Sequence, residues 1–456
     1  MEFKGDEAEA CRLALHALGF SEPGVGRFFP TQGLISSVGA PNPPLFVYLV
    51  ALPLAISRSP LAAAALVAAA NVVAIALCYV VGKRCFSRFV GLAGAALWAL
   101  APWAIVFSRK IWAQDLLPLC TTLFALELHA FLVRRRASAA FSLVALLAIA
   151  TQLHFSAWVL APILVSALIL GRETLDRRWL GLGLAFAALL YAPFLIDHAG
   201  TIYHAANHKV TAHSPGVVTR FEVALRFTLA IVGGDRMSIL LGSQSPLARP
   251  LSIAAGTTAL FGVLIAAYAA REPQLRRLRA LFAAWYLLPL AVLSIVPVHD
   301  YIHYFIVITP LPFLGLAYVI GWLASRRAMV GTLALAACLV AFASLDLRFF
   351  TTIKHDGGAP GDYGIAYRYK AQAVEAILHV NRSRAVTISL DRRLAASRHL
   401  RDIRFLLWNG RIGSPVKLLP PRTGYIFDER FDTRLPNSTD YGPLQVAAVP
   451  IRPRPR

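Results

Sequence analysis

The sequence predicts an all-α polytopic membrane protein that carries a small α/β domain at its C-terminus. Three observations support this class. Hydrophobic residues make up 57% of the 456 residues and charged residues only 15%, and the mean hydropathy is +0.60. The apolar runs are continuous for about 18–22 residues, which favours spanning helices over a β-barrel. Short basic loops follow every second apolar run.

Ten apolar segments are candidate spanning helices. The loops after the first, third, fifth, seventh and ninth segments are rich in Lys and Arg. Under the positive-inside rule these five loops are cytoplasmic, so we expect a multi-pass protein of the cell inner membrane with both of its ends outside. The segments are 61–82, 89–107, 116–133, 139–153, 156–171, 179–196, 250–270, 280–297, 302–323 and 328–346.

The chain divides into a transmembrane domain (1–346) and a soluble extracytoplasmic domain (347–456). The first part, 1–60, is expected to be a juxtamembrane loop on the outer face. In it, Gly5 to Leu18 predicts a helix suited to a membrane surface. A later apolar segment, Pro43 to Ile56, is too short to span and is expected to be interfacial or re-entrant.

The C-terminal domain is strongly basic. It contains 19 Lys or Arg and nine Asp or Glu, a net charge of +10. This charge favours anionic head groups or phosphorylated ligands, although a solvated Arg-rich surface explains it equally well. The predicted elements are a helix that ends at Val380, a strand at Ala385–Leu390, a helix at Ala395–Trp408, and strands at Gly424–Phe427 and Leu444–Val449.

Charge and cysteine usage exclude two other classes. The net charge of +21 lies mostly in short loops between apolar runs, so it does not indicate nucleic acid as a partner. Four of the five cysteines lie in or beside apolar runs, which argues against a disulfide framework. No zinc-ligand spacing occurs. No cofactor or metal site is assigned, and the sequence leaves a divalent cation open.

Three acids on the expected outer face are candidates for catalysis. Asp6 and Glu7 begin the first predicted helix, and partial desolvation would make such a carboxylate a suitable base. The alternative is that both are exposed acids favoured by the helix dipole. Asp115 lies where an outer turn enters a span, a depth at which acids are costly. Its alternatives are a helix cap or an ion pair with Arg109 or Lys110.

Cations and aromatic residues near these acids are candidates for binding an anionic head group. Arg109 and Lys110 could bind a phosphate at the membrane surface, or could be ordinary snorkelling residues. His303 and Tyr304 lie in a short outer turn with Tyr301, where an interfacial tyrosine belt is the alternative.

Five motifs spread over about residues 1–325 resemble those of the GT-C superfamily of membrane glycosyltransferases. The resemblance is to the protein O-mannosyltransferase and aminoarabinose transferase group, family 39. Each motif is weak alone, but their order and shared sidedness make the set more specific. They are Gly5-Asp6-Glu7-Ala8-Glu9-Ala10, Asn42-Pro43-Pro44-Leu45 with Tyr48, Lys83-Arg84-Cys85-Phe86, Ser108-Arg109 through Asp115, and His303-Tyr304 through Pro310.

The resemblance implies an inverting transferase that takes a sugar from a polyprenyl phosphate to an acceptor hydroxyl of a lipid, glycan or protein. Asp6 would accept the proton of the hydroxyl, and Asp115 would orient the acceptor or Asp6. Arg109, Lys110 and His303, with Tyr304 beside it, would stabilise the leaving phosphate.

Two departures from the family pattern stand out. The first spanning helix of the family is not present ahead of Asp6, so we expect an upstream helix to be missing from this chain. In addition, Asn42, which is kept as a candidate donor-binding residue, replaces the lysine that precedes the Pro-Pro pair. Another cation would then have to contact the donor phosphate, or the donor would differ.

Two other functions compete with the transferase. A transporter or flippase of lipid-linked saccharide would show inverted repeats and polar sites at the midplane of the membrane. The sequence shows no repeat, and its polar candidates lie at the interface. A structural subunit would use the basic C-terminal domain to bind a partner protein.

Overall fold

The computed structural model of the chain describes residues 1–20, 29–36, 40–209, 216–296, 301–381, 386–389, 400–410, 416–419, 424–429 and 438–449. Within these residues an apolar helical bundle precedes a smaller part that contains all of the strands. The expected fold class, a polytopic all-α membrane protein with a small α/β C-terminal part, is therefore confirmed.

The helices of the bundle are interrupted by short 3-10 turns, which lie at Ala113–Leu116, Phe155–Val159 and Ile302–Ile308. The helices up to the C-terminal part are α1 (Gly5–Ala17), α2 (Leu45–Ile56), α3 (Pro60–Cys85), α4 (Arg88–Ala99), α5 (Pro102–Phe107), α6 (Leu117–Leu132), α7 (Ala139–Leu153), α8 (Leu160–Leu170), α9 (Arg177–Lys209), α10 (Val217–Gly233), α11 (Ser238–Leu241), α12 (Ala248–Tyr268), α13 (Pro273–Ile295), α14 (Leu311–Arg326) and α15 (Ala328–Asp356).

Each of the ten segments predicted to span contains helix. Among the described residues, six helices are long and apolar enough to cross a membrane. The 3-10 turn before α14 and α14 itself are bent by 62° and would make a seventh span if they cross together. The segments at 139–153 and 156–171 form shorter apolar helices. The segment at 89–107 is divided into α4 and α5 because Ala101, which precedes Pro102, has an extended conformation.

Glycines allow two helix pairs of the bundle to approach closely. Gly82 of α3 faces Gly91 of α4, and a Cβ on either would overlap the backbone of the other helix. Gly262 of α12 and Gly315 of α14 meet in the same way. Small residues at crossing points are typical of membrane helices, where close backbone packing replaces the hydrophobic effect between helices.

Two helices between the predicted segments 179–196 and 250–270, α10 and α11, were not predicted. The longer one, α10, packs against α12 and α13. The side chain of Arg220 donates hydrogen bonds to the carbonyl oxygens of Ser294 (3.1 Å) and Ile295 (3.2 Å) at the end of α13. The hydropathy pattern did not predict α10, because charged residues such as Arg220 and Arg226 interrupt its apolar run.

The C-terminal part begins later than the predicted boundary at 346, because α15 continues to Asp356 and ends at Gly357 in the left-handed conformation (φ 75°). A short antiparallel pair, β1 (Gly358–Ala359) and β2 (Gly364–Ile365), follows α15. The remaining elements are α16 (Tyr367–Val380), β3 (Val386–Ser389), α17 (Leu400–Gly410), β4 (Val416–Leu419), β5 (Gly424–Glu429), β6 (Ser438–Tyr441) and β7 (Leu444–Val449).

The larger sheet is mixed, with the strand order β4-β3-β5-β7-β6. β3 pairs in parallel with β4 and β5, whereas β7 pairs antiparallel with β5 and β6. The sequence predicted three of these five strands and missed β4 and β6. The part of the predicted helix before Leu400 lies outside the described residues.

The first helix, α1, lies between the bundle and the C-terminal part, in contact with α2 and α17. Its apolar side chains Cys11 and Leu15 are fully buried. The helix was predicted, but its apolar face packs against protein and is not left open for a membrane surface. This packing turns one face of α1 toward a cavity and another toward buried charges of the bundle.

Candidate active site

The adjacent acids Asp6 and Glu7 point in different directions from α1. Successive residues of a helix are about 100° apart, whereas residues three and four apart share a face. Asp6 is exposed and lines a cavity together with Glu9 and Leu13. Glu7 is fully buried, on the side of Cys11. The structure therefore separates the two acids that the sequence treated as one motif.

The cavity beside Asp6 has a volume of about 600 Å³. One of its walls is the α1 face with Asp6, and a second comes from α17 of the C-terminal part. Among the described residues, two with carboxylate and three with guanidinium side chains line the cavity. The charged residues that line it are Asp6, Glu9, Arg12, Arg401 and Arg404.

A third wall of the cavity is formed by the segment from Gln32 to Ile35. Asn42 holds this segment through its main chain: its carbonyl oxygen accepts a hydrogen bond from the N–H of Gly33 (2.7 Å), and its N–H donates to the carbonyl of Leu34 (2.9 Å). Asn42, a predicted donor-binding residue, thus reaches the cavity through backbone contacts.

A separate cluster of buried charges lies on the bundle side of α1. Glu2, Glu7, Lys110 and Asp115 are each at most 4% exposed. Lys110 Nζ forms an ion pair with Glu2 Oε2 at 3.0 Å, and Lys4 pairs with the same carboxylate. Glu7 Oε2 accepts a hydrogen bond from the N–H of Lys4 (3.1 Å). The cluster joins the N-terminal segment to the turn before α6.

Burial and neighbouring charges change the proton affinities in this cluster. Burial raises the pKa of Glu7 to about 7, and the charge of Glu2 adds to the increase, while Lys110 and Lys4 oppose it. Burial alone would lower the pKa of Lys110, but the charges of Glu2 and Glu7 outweigh it and hold the pKa above its usual value. Lys110 therefore remains a cation, and Glu7 titrates near neutrality.

Asp115 is fully buried in the 3-10 turn before α6. Neither of its carboxylate oxygens has a hydrogen-bond partner among the described residues. Its main chain is fixed, because Asn71 Nδ2 of α3 donates to its carbonyl oxygen at 2.8 Å. Because neither oxygen is hydrogen-bonded, the side chain does not cap the helix, and Lys110 pairs with Glu2 instead of with it. Both alternative explanations of this residue are therefore disfavoured.

Aromatic side chains connect Lys110 to the predicted head-group residues. Lys110 Nζ lies 3.8 Å from the ring centre of Trp112. The Trp112 ring contacts that of His303 (5.7 Å between centroids), and His303 contacts Tyr304 (4.8 Å). His303 and Tyr304 thus lie next to the buried cluster, whereas neither lines the cavity beside Asp6.

Arg109 does not line the cavity beside Asp6, but it lines a small pocket together with Glu2 and Lys110 of the buried cluster. It is exposed, and its guanidinium carbon lies 4.8 Å from the ring centre of Phe350. The structure thus divides the predicted site. Asp6 and the main chain of Asn42 reach the cavity, whereas Glu7, Lys110 and Asp115 belong to the buried cluster. The exposed Arg109 borders that cluster and not the cavity. Sequence reasoning did not select Arg12, Arg401 or Arg404, although the high charge of the C-terminal domain was a general signal for them.

No metal centre is evident in the part of the chain that the structure describes, because no three His, Cys, Asp or Glu side chains lie close enough together to hold an ion.

Comparison with known proteins supports the class of the fold. A family model described as dolichyl-phosphate-mannose-protein mannosyltransferase matches residues 41–196. The crystal structure of ArnT from Cupriavidus metallidurans bound to undecaprenyl phosphate is similar, with a TM-score of 0.57 and 12% identity over 91% of this chain and 82% of ArnT. The apo state of the same protein gives a TM-score of 0.55 and 12% identity over 91% and 81%. A comparison with curated proteins finds no match.

The chain has the same fold as ArnT, and the family model of the mannosyltransferases matches one part of it. The resemblance inferred from the sequence motifs is confirmed at this level. The matched part of the family model does not include the Asp6-Glu7 motif, which lies before residue 41.

The raised pKa of Glu7 predicts a pH-dependent stability. Because the folded state binds this proton more tightly than the unfolded chain does, the contribution of Glu7 to stability is fully present below about pH 4.5 and is lost as the pH rises through about 7. The loss amounts to up to about 3 kcal/mol. The apparent melting temperature of Glu7→Gln, relative to the native protein, should therefore rise between about pH 5 and pH 8 in detergent.

Glu9→Gln is the matched control. Arg12 donates two hydrogen bonds to the Glu9 carboxylate (2.6 and 2.8 Å) and, with Arg401, outweighs its burial, so that the pKa of Glu9 is lowered. Glu9 stays ionised over this whole pH range, and its variant should show a constant difference from the native protein. A constant difference for Glu7→Gln as well would contradict the prediction.

Proposed function

We propose that the protein transfers a sugar from a polyprenyl-phosphate donor to an acceptor hydroxyl on the outer face of the membrane, with inversion, and that Asp6 is the general base. The observation that carries the proposal is the exposed Asp6 carboxylate, which lines a cavity of about 600 Å³ shared with three arginines. A base must reach its substrate, and of the three predicted acids Asp6 alone is exposed, since Glu7 and Asp115 are buried.

In the proposed reaction the acceptor hydroxyl oxygen attacks the anomeric carbon as its proton passes to the Asp6 carboxylate. The new carbon–oxygen bond forms on the face opposite the phosphate, so the configuration inverts. The bond from the anomeric carbon to the phosphate oxygen breaks, and the polyprenyl phosphate leaves with the electron pair. The leaving phosphate gains negative charge, which nearby cations stabilise.

Arg401 and Arg404 are the proposed partners of this phosphate. Glu9 and Arg12 form an ion pair and largely neutralise each other. The other charged side chains that line the cavity in the described part of the chain are Asp6 and the two arginines of α17, and together these three carry a net positive charge. Guanidinium groups bind phosphate oxygens through paired N–H donors. In this proposal Arg401 and Arg404 bind the phosphate in place of Arg109 and Lys110, which the sequence suggested. Lys110 is instead paired with Glu2.

The buried acids have a supporting role in this proposal. Glu7 and Asp115 lie close enough to Lys110 that the charges of both acids raise its pKa. Their cluster would hold the start of α1 against the bundle, and His303 and Tyr304 would seal it through Trp112. The proposed acceptor is the one that the family resemblance implies, namely a hydroxyl of a lipid, a glycan or a protein. Undecaprenyl phosphate, which is bound in the ArnT crystal structure, is a suitable probe for the lipid product.

The base assignment predicts the effect of removing one carboxylate. We expect Asp6→Asn to lower kcat for sugar transfer by about 10²–10⁴-fold, the usual contribution of general base catalysis. Glu9→Gln, on the same face of α1, should lower it at most about threefold, because its charge is balanced by Arg12. Transfer is measured with the purified protein, a panel of polyprenyl-phosphate sugars and cell-envelope extract.

Full activity of Asp6→Asn would overturn the assignment of the base. Absence of transfer by the native protein with every donor would favour the transporter alternative, and flipping of lipid-linked saccharide in vesicles would then be measured.

The phosphate assignment predicts a weaker interaction with donor and lipid product when the arginines are lost. Arg401→Gln should raise the donor KM and the Kd for undecaprenyl phosphate in nanodiscs by about 10–100-fold, because a charged hydrogen bond is lost. Arg368→Gln is the matched control, since Arg368 is an exposed arginine of the same domain that lies against Tyr369 and not in the cavity. Equal affinities of the two variants would refute the role of Arg401.

The proposed orientation can be tested by labelling in intact cells. The alternation of basic loops supports an outer location of the C-terminal domain and a cytoplasmic location of Arg326. A cysteine in place of the exposed Glu375 should then react with a membrane-impermeant maleimide in intact cells, and a cysteine in place of the exposed Arg326 only after permeabilisation. The native chain measures the background from Cys338. The reverse pattern would place the cavity on the cytoplasmic side.

A further inference from the structure

A lysine of the C-terminal part is buried at the junction with the N-terminal segment. Lys370 of α16 has no exposed surface, and its Nζ lies 2.6 Å from Oδ2 of Asp402 of α17, which is buried to the same extent. A buried ammonium group is costly to desolvate, so it is tolerated only where its hydrogen-bonding groups find partners. The ion pair links α16 to α17, and the two helices also pack against each other.

The third partner of this pair belongs to the N-terminal segment. Lys370 Nζ also donates a hydrogen bond to the carbonyl oxygen of Phe3 at 2.7 Å. Phe3 lies two residues before α1 begins and three before Asp6. Asp402 cannot replace Lys370 in this contact, because an ionised carboxylate has no proton to donate to a carbonyl.

Other contacts fix the same short segment onto α16 and α17. The N–H of Tyr367 donates a hydrogen bond to the carbonyl oxygen of Met1 (3.0 Å). The Phe3 ring is fully buried and lies against the rings of Tyr367 (5.5 Å between centroids) and Phe405 (5.8 Å). The contacts hold the chain both before and at Phe3, so the path of the backbone into α1 is constrained.

We infer that Lys370 is a positioning residue for the proposed general base: by fixing the carbonyl of Phe3, it sets the start of α1 and thereby the direction in which Asp6 enters the cavity. The ion pair with Asp402 joins α16 to α17, whereas the hydrogen bond to Phe3 connects α16 to the segment that leads into α1, the helix that carries Asp6. The inference rests on the proposed function for the role of Asp6, but the contact itself can be tested without any substrate.

The test uses the double variant Lys370→Met with Asp402→Leu in the full chain. Both charges are removed together, so neither is left buried without its partner, and replacing a buried ion pair by apolar residues is often tolerated. The Phe3 carbonyl nevertheless loses its donor. Hydrogen exchange measured by mass spectrometry should increase about tenfold in a peptide covering residues 1–13, with little change in α16 and α17. A purely structural role of the ion pair would increase exchange in α16 and α17 as well.

Kinetics provide the second readout. We expect kcat for transfer to fall about 10–100-fold, with the donor KM within about twofold of the native value, because a displaced base affects the chemical step and not binding. Tyr425→Phe is the matched control, since it removes a hydrogen bond from Asn381 (2.9 Å) inside the same domain and away from α1. The control should leave both readouts at native values.

Native exchange in residues 1–13 of the double variant would overturn the inference, and so would native kcat. If the native protein transfers no sugar, the proposed function fails, and the exchange measurement still decides whether Lys370 holds the start of α1. Should the double variant not fold, Lys370→Met with Asp402→Asn, which likewise removes the donor to the Phe3 carbonyl, is measured instead. The expected results and the outcomes against the inference are the same.

Discussion

The arrangement of the site depends on the burial of one short helix on two sides. α1 has 13 residues, and a helix of this length is marginal in water by itself, so tertiary contacts must hold it. The bundle holds its start through Glu7 and the Lys110–Glu2 ion pair, and the C-terminal part holds it through Lys370 and Phe3. Asp6 is on the face that neither side covers, and this is why it reaches the cavity.

Buried ion pairs are a costly way to hold a helix, because the desolvation of the charges offsets much of their attraction. Apolar contacts alone would tolerate a shift of α1 along its axis, whereas the hydrogen bond from Lys370 is made to one particular carbonyl, that of Phe3. A shift by one residue would turn Asp6 by about 100°, away from the cavity. We infer that the two polar anchors fix the register of the helix and contribute less to the stability of the fold.

The sequence predicted the membrane helices well, since long apolar runs have few alternatives to spanning, and it missed α10, whose arginines interrupt such a run. It also found the acids Asp6, Glu7 and Asp115, but their separation depends on how α1 is rotated, and that rotation is set by residues far along the chain. Lys370 and Arg401 lie near the other end of the sequence, in helices where a cation is usually solvated. Nothing local distinguishes the buried Lys370 from the exposed Arg368, two residues away.

A single helix of the C-terminal part connects these features. On α17, Arg401 and Arg404 are three residues apart and line the cavity, whereas Asp402 lies between them in sequence and faces Lys370. Because α17 is one rigid element, the distance between the proposed phosphate partners and the anchor of α1 is fixed. Asp6 and the arginines therefore keep their spacing even though they come from opposite ends of the chain. The C-terminal part therefore contributes one side of the candidate site, and the helical bundle alone does not form that site.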